Sequence, residues 1–172
     1  MTMTLSGTTG GIGVIGSGTA VASTSGTSID FTSLPAGLKR ITVVFNGVSS
    51  SGVSPILIRL GYGATTFVTS GYSGGGGYII NNGSSGNYAA TDGFSLGSYA
   101  AQAAALLSGT MTLINISGNI WVCSSAIGSP ALLLSAVGGG NVTLSGALTA
   151  IRLTTAGGTD TFDAGSINIL YE

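Results

Sequence analysis

The sequence predicts an all-β fold, an antiparallel β-sandwich or jelly roll, and three observations carry that expectation. Apolar residues fall in short runs of period two, those runs are separated by clusters of Gly, Ser and Asn, and no long helical period occurs. The runs come in order along the chain. TAVAS (19–23) and SIDFT (28–32) are short. RITVVFNGV (40–48) alternates Ile41, Val43 and Phe45 with Thr42 and Asn46, the pattern of a half-buried strand. PILIRLGY (55–62) repeats it with Ile56, Ile58 and Leu60, and sets Arg59 on the opposite face. TMTLINIS (110–117) passes through Gly118-Asn119 into IWVCSS (120–125), a hairpin signal. ALLLSAV, NVTLSGAL, AIRLTT and SINILYE complete about nine or ten strands, the spacing typical of sandwiches and jelly rolls. Only Tyr99–Leu107 is helix-competent, and it is too short and poorly capped to change the class.

Charge is scarce. Of 172 residues only Lys39, Arg40, Arg59, Arg152, Asp30, Asp92, Asp160, Asp163 and Glu172 are charged, and histidine is absent. An ordinary domain is roughly one quarter charged, so this 5% excludes several functions at once. Duplex nucleic acid requires a basic face that four scattered cations cannot form. Metal cages and acid–base chemistry lose their commonest ligand and base, so no cofactor or metal is expected. A Ser-His-Asp or Cys-His arrangement cannot be assembled within one chain, and nothing near Lys39 supports it as a base. No enzymatic activity is expected.

The chain is nonetheless foldable. It is 44% hydrophobic with mean hydropathy +0.57 and net charge −1, the opposite of a disordered composition. Its length suits one domain, read as residues 18–172 behind a glycine-rich N-terminal arm or anchor at 1–17. The longest apolar stretch, Ala100 to Leu107, is broken by Gln102 and falls short of the ~20 residues of a membrane helix. MTMTLSGTTG has neither a basic nor an apolar signal region, so synthesis in a cytoplasm without export is expected. The single Cys123 reads as a small buried strand residue.

Several motifs admit two readings. Gly11-Ile-Gly13-Val-Ile-Gly16 matches a dinucleotide fingerprint with Asp30 downstream, but neither the preceding strand nor the following helix is there. Asp160 and Asp163, in GGTDTFDAG (157–165), read as turn residues that bond their own backbone, with an ion site or a carboxylate pair as alternatives. Trp121 reads as core or interface rather than a stacking platform. Residues 62–99 hold Tyr62, Tyr72, Tyr78, Tyr88 and Tyr99 among GGGG and NNGSSG. That mix suits a recognition loop, since tyrosine offers a rigid amphipathic surface, or else a subunit contact or structural packing.

Two blocks carry a resemblance. GTAVASTSGTSIDFTSLPAGLKRITVVFNGVSSSG (Gly18 to Gly52) and LSGALTAIRLTTAGGTDTFDAGSINILYE (Leu144 to Glu172) resemble a module of tailed-bacteriophage virion proteins. The match is densest over Leu34 to Ser49 and Thr159 to Glu172; TSGY at 69–72 and the Trp121 hairpin keep the same order. The resemblance implies a virion surface protein, found as a tail-fibre C-terminal domain or a short stand-alone protein. It brings no catalytic or cofactor residues and implies a homotrimer.

The short lead before the module favours a capsid decoration (cement) protein seated on the major capsid protein. The alternative is a tail-fibre head in contact with tail proteins and a host surface glycan or protein, with the tyrosines as its contact. Low charge with apolar strands independently favours association over a lone monomer. Neither nucleic acid nor membrane insertion is expected.

Overall fold

A computed structural model describes residues 15–63, 65–97, 102–103 and 105–172. Fourteen strands occur among them: β1 (Gly16–Ser17), β2 (Val21–Ala22), β3 (Ser28–Phe31), β4 (Arg40–Ser50), β5 (Ile56–Tyr62), β6 (Thr66–Phe67), β7 (Ser73–Ile79), β8 (Ser85–Ala90), β9 (Phe94–Ser95), β10 (Leu107–Ser117), β11 (Ile120–Ser129), β12 (Leu134–Thr143), β13 (Leu148–Thr155) and β14 (Phe162–Tyr171). They form two antiparallel sheets. The larger runs β1-β14-β4-β10-β11-β12-β7-β8, with β2 also on β14, and the smaller runs β3-β13-β5-β6, with β9 also on β5. The protein is an all-β sandwich, and sheets of nine and five strands lend no support to the eight-stranded jelly-roll alternative.

Alternation positions the core. Ile41, Val43 and Phe45 of β4, Met111 and Leu113 of β10, and Trp121, Cys123 and Ile127 of β11 all face inward and are buried. Ile58 and Leu60 of β5 and Ile151 and Leu153 of β13 meet them from the smaller sheet. The expected Gly118-Asn119 turn joins β10 to β11. Gly118 takes a φ of 51°, and the Asn115 amide donates to Gly118 O at 2.9 Å and to Ile120 O at 3.2 Å. A register shift between Asn115 and Ser117 absorbs the extra residue of this turn.

Other expectations are corrected. The segment 62–99 is largely strand rather than loop: β7 runs through Gly74–Gly77 and pairs in register with Gly138–Gly140 of β12. ALLLSAV is not one strand, because Leu133 turns at φ 48° and β12 begins at Leu134, then continues through the glycines to Thr143. Gly16 and Ser17, assigned to the arm, already pair with Tyr171 and Leu170, while residues 1–14 lie outside the described residues. The helix-competent segment falls partly outside them too. Its described end is not helical: Leu106 has a φ of 50° and Leu107 opens β10.

Candidate assembly surface

The tyrosines do not form an exposed cluster. Tyr72 is a core residue, 3% exposed, with its ring edge-on to Phe94 at 4.9 Å between centroids. Its hydroxyl accepts a hydrogen bond from the Leu60 backbone N–H at 2.8 Å. Tyr62 is half-buried and lies against Gly146. Tyr88 faces inward from β8 across Gly76 and Gly138, where any β-carbon would collide with its hydroxyl, and that hydroxyl lies 3.4 Å from two acceptors, Ser95 O of β9 in the smaller sheet and Val137 O of β12. Tyr78 lies over Gly86 in the same manner. These glycines leave the room that the rings fill, so Tyr88 ties the edge of the larger sheet to the smaller one. Tyr99 lies outside the described residues.

Burial also raises three ionisations, those of Tyr72, Tyr88 and Cys123. It pushes the Tyr72 phenol up to about 12 against the opposing pull of the Leu60 N–H, and it pushes the Cys123 thiol up to about 12. The unfolded chain gives up these protons near the ordinary values of 9.0 and 10.0, while the folded chain keeps them. The folded state therefore binds more protons across that window. The contribution of these two groups to stability is expected to be constant below pH 9 and to fall progressively towards pH 12, read as the loss of urea midpoint across pH 9 to 12. Tyr72→Phe leaves the buried Leu60 N–H without a partner and is expected to cost about 1–3 kcal/mol by the same measurement.

Trp121 is a core residue at 3% exposure. Asp160 and Asp163 do not bond their own turn. The Asp160 carboxylate accepts the Ser54 backbone N–H at 2.9 Å, and Asp163 accepts the Ser49 hydroxyl, so the pair clamps segment 49–54 to the start of β14. Lys39 donates to the Asn115 side-chain oxygen at 3.3 Å, and Asp30, the acid downstream of the glycine motif, is ion-paired to Arg152.

Charge is sorted between the two outer surfaces. On the smaller sheet Asp30, Arg152 and Arg59 lie side by side across β3, β13 and β5. Arg152 holds Asp30 through two hydrogen bonds of 2.7 Å and stacks 4.0 Å from the Phe67 ring centre. Arg59 donates to Asp92 O at 2.7 Å and to its carboxylate at 3.0 Å. Four of the nine charges thus form one neutral row. Arg40 and Glu172 pair at 2.7 Å beside Lys39 at one end of β4 and β14, and Asp160 and Asp163 lie at the other.

Between those ends the outer face of the larger sheet carries no charge. One row across it reads Thr42, Thr112, Ser124, Gly139, Gly75 and Ala89; the next reads Val44, Thr110, Ala126, Val137, Gly77 and Asn87. Six strands make this surface about 24 Å wide. Ile114 is 48% exposed on it, and Val137 and Ile79 are each 59% exposed. A groove of about 320 Å³ opens among Tyr78, Ile79, Asn87, Ser135 and Val137. The sequence hid this surface because its residues come from six separate strands. Its legible trace is that the charges flank β10–β12 and never enter them. No protein family, no curated protein and no solved structure matches the chain.

Proposed function

We propose that this chain is a structural protein of the exterior of a tailed-bacteriophage particle, acting as a capsid decoration (cement) protein. In this reading it forms a homotrimer seated on the major capsid protein and stabilises the shell. The observation that carries the reading is the uncharged middle of the larger sheet's outer face, opposite the ion-paired row on the smaller sheet. A face without charge is buried without desolvating ions, whereas a row of ion pairs loses by burial. Thr, Ser, Gly and Ala allow close approach of backbones and supply hydroxyls for hydrogen bonds. Contacts of this kind depend little on salt, as a particle released into varied media requires.

The second reading, a tail-fibre head that binds a host surface glycan or protein, rests on the tyrosines of 62–99. Among the described residues none of those tyrosines is exposed, and this favours decoration. The test is the copy number of the chain per purified particle, relative to the major capsid protein. A ratio on the scale of the capsid lattice is expected. A few copies per particle transfers the chain to the tail, and absence from the particle overturns the virion reading.

A further inference from the structure

We infer that β8 is a self-pairing edge, and that it joins β8 of a second copy about a two-fold axis through Asn87. A sheet edge presents unpaired N–H and C=O groups, and proteins blunt such rows with shortness, charge, proline or bulges. The other edges here are blunted. β1 and β2 are separate two-residue pieces on β14, β3 is four residues long and carries Asp30, and β6 and β9 are two residues each. β8 has none of these devices: Ser85–Ala90 runs six residues in unbroken register with β7, uncharged and without proline. Among the described residues it pairs on one side only.

Hydrogen-bond alternation fixes which groups are free to pair. Ile80 N–H donates to Ser84 O at 3.0 Å, so the residue pairs bonded within the hairpin are those in step with 80 and 84. Gly86, Tyr88 and Ala90 therefore bond to β7, and the N–H and C=O of Ser85, Asn87 and Ala89 point away from it. An antiparallel copy must match outward groups to outward groups. Registers centred on Gly86 or Tyr88 match only two of these residues with each other, and Asn87 is the centre that uses all three. Asn87 then meets Asn87 of the second copy, and Ser85 meets Ala89 in both directions, giving about six interchain hydrogen bonds.

The chemistry at that axis selects a second copy of this chain as occupant. A two-fold axis sets a residue against itself, so a charge there would be repelled, whereas an amide carries both donor and acceptor and bonds its own copy. β7 and β12, which continue the sheet inward from β8, are also uncharged. The inference does not rest on the proposed function.

Asn87→Pro tests it. The substitution deletes an N–H that bonds nothing within the hairpin, adds no charge, and sits on an edge, where proline is tolerated. Light scattering is expected to give an even number of copies for the natural chain, a pair of trimers joined through β8 where the proposed trimer also forms, and half that mass for N87P, with unchanged circular dichroism. Ala89→Pro is expected to act in the same direction and serves if N87P misfolds. An odd number of copies, or a mass that neither variant lowers, overturns the inference.

Discussion

Gly165→Ala is expected to lower stability by about 2–5 kcal/mol, enough to lower the melting temperature of a chain this size by roughly 10 °C. Two effects add. Gly165 has a φ of 90°, which costs an L-residue about 1–2 kcal/mol. A β-carbon there would also lie 2.3 Å from Gly47 O and 2.5 Å from Asn46 O. Both are backbone atoms of β4, so no rotamer relieves the clash, and β14 must move off its partner. The position is intolerant because β14 is irregular here. Its register against β4 shifts on both sides of Ala164, and Ser23 bonds Ala164 O at 2.7 Å through its hydroxyl and Gly165 O at 2.9 Å through its N–H. Gly37→Ala is the control, because Gly37 has a φ of 83° but nothing within 4 Å of its added carbon. It is expected to cost only the backbone strain, about 1–2 kcal/mol. Equal losses at the two positions would refute the packing part of the argument.

Trp121→Ala is expected to cost about 3–5 kcal/mol, a large share of the roughly 5–15 kcal/mol that holds a domain folded. The side chain is 3% exposed on the inner face of β11, with Val142 of β12, itself 1% exposed, directly across the ladder. Neighbouring strands are hydrogen-bonded on both sides of β11, so the sheet cannot collapse into the void. Unfolding of the variant is followed by circular dichroism, since the substitution removes the chain's single tryptophan. A loss below about 1 kcal/mol would place Trp121 outside the core, where surface substitutions fall.

The strands with a period-two signature were legible because burial on one face imposes that period. Ile41, Val43 and Phe45, or Ile151 and Leu153, announce themselves. β7 and the middle of β12 were not legible, because Gly74–Gly77 and Gly138–Gly140 carry no side chains to alternate. They form strands through tertiary context: Tyr88 fills the inner face over Gly76 and Gly138, and at Gly140 a β-carbon would strike Ser73 O at 2.6 Å. The tyrosines invited a recognition reading on composition alone. The inward direction of Tyr78 and Tyr88 follows from the register of β8 against β7, which one sequence does not state. The partners of Asp160 and Asp163 were hidden likewise, since Ser54 and Ser49 lie more than a hundred residues away.

Scarcity of charge was legible from the start; the location of the charges was not, and it bears on assembly. Asp30, Arg152, Arg59 and Asp92 neutralise one another on the smaller sheet, and the remaining charges stand at the two ends of β4 and β14, which leaves the middle of the larger sheet's outer face bare. In the proposed assembly that bare face packs between copies in the trimer. The most direct test places one arginine at its centre, Ala126→Arg, and one on the smaller sheet, Thr66→Arg, both at exposed positions. Light scattering on folded protein is expected to give a multiple of three copies for the natural chain and for T66R, and one third of that mass for A126R. An A126R mass equal to that of the natural chain would contradict the account.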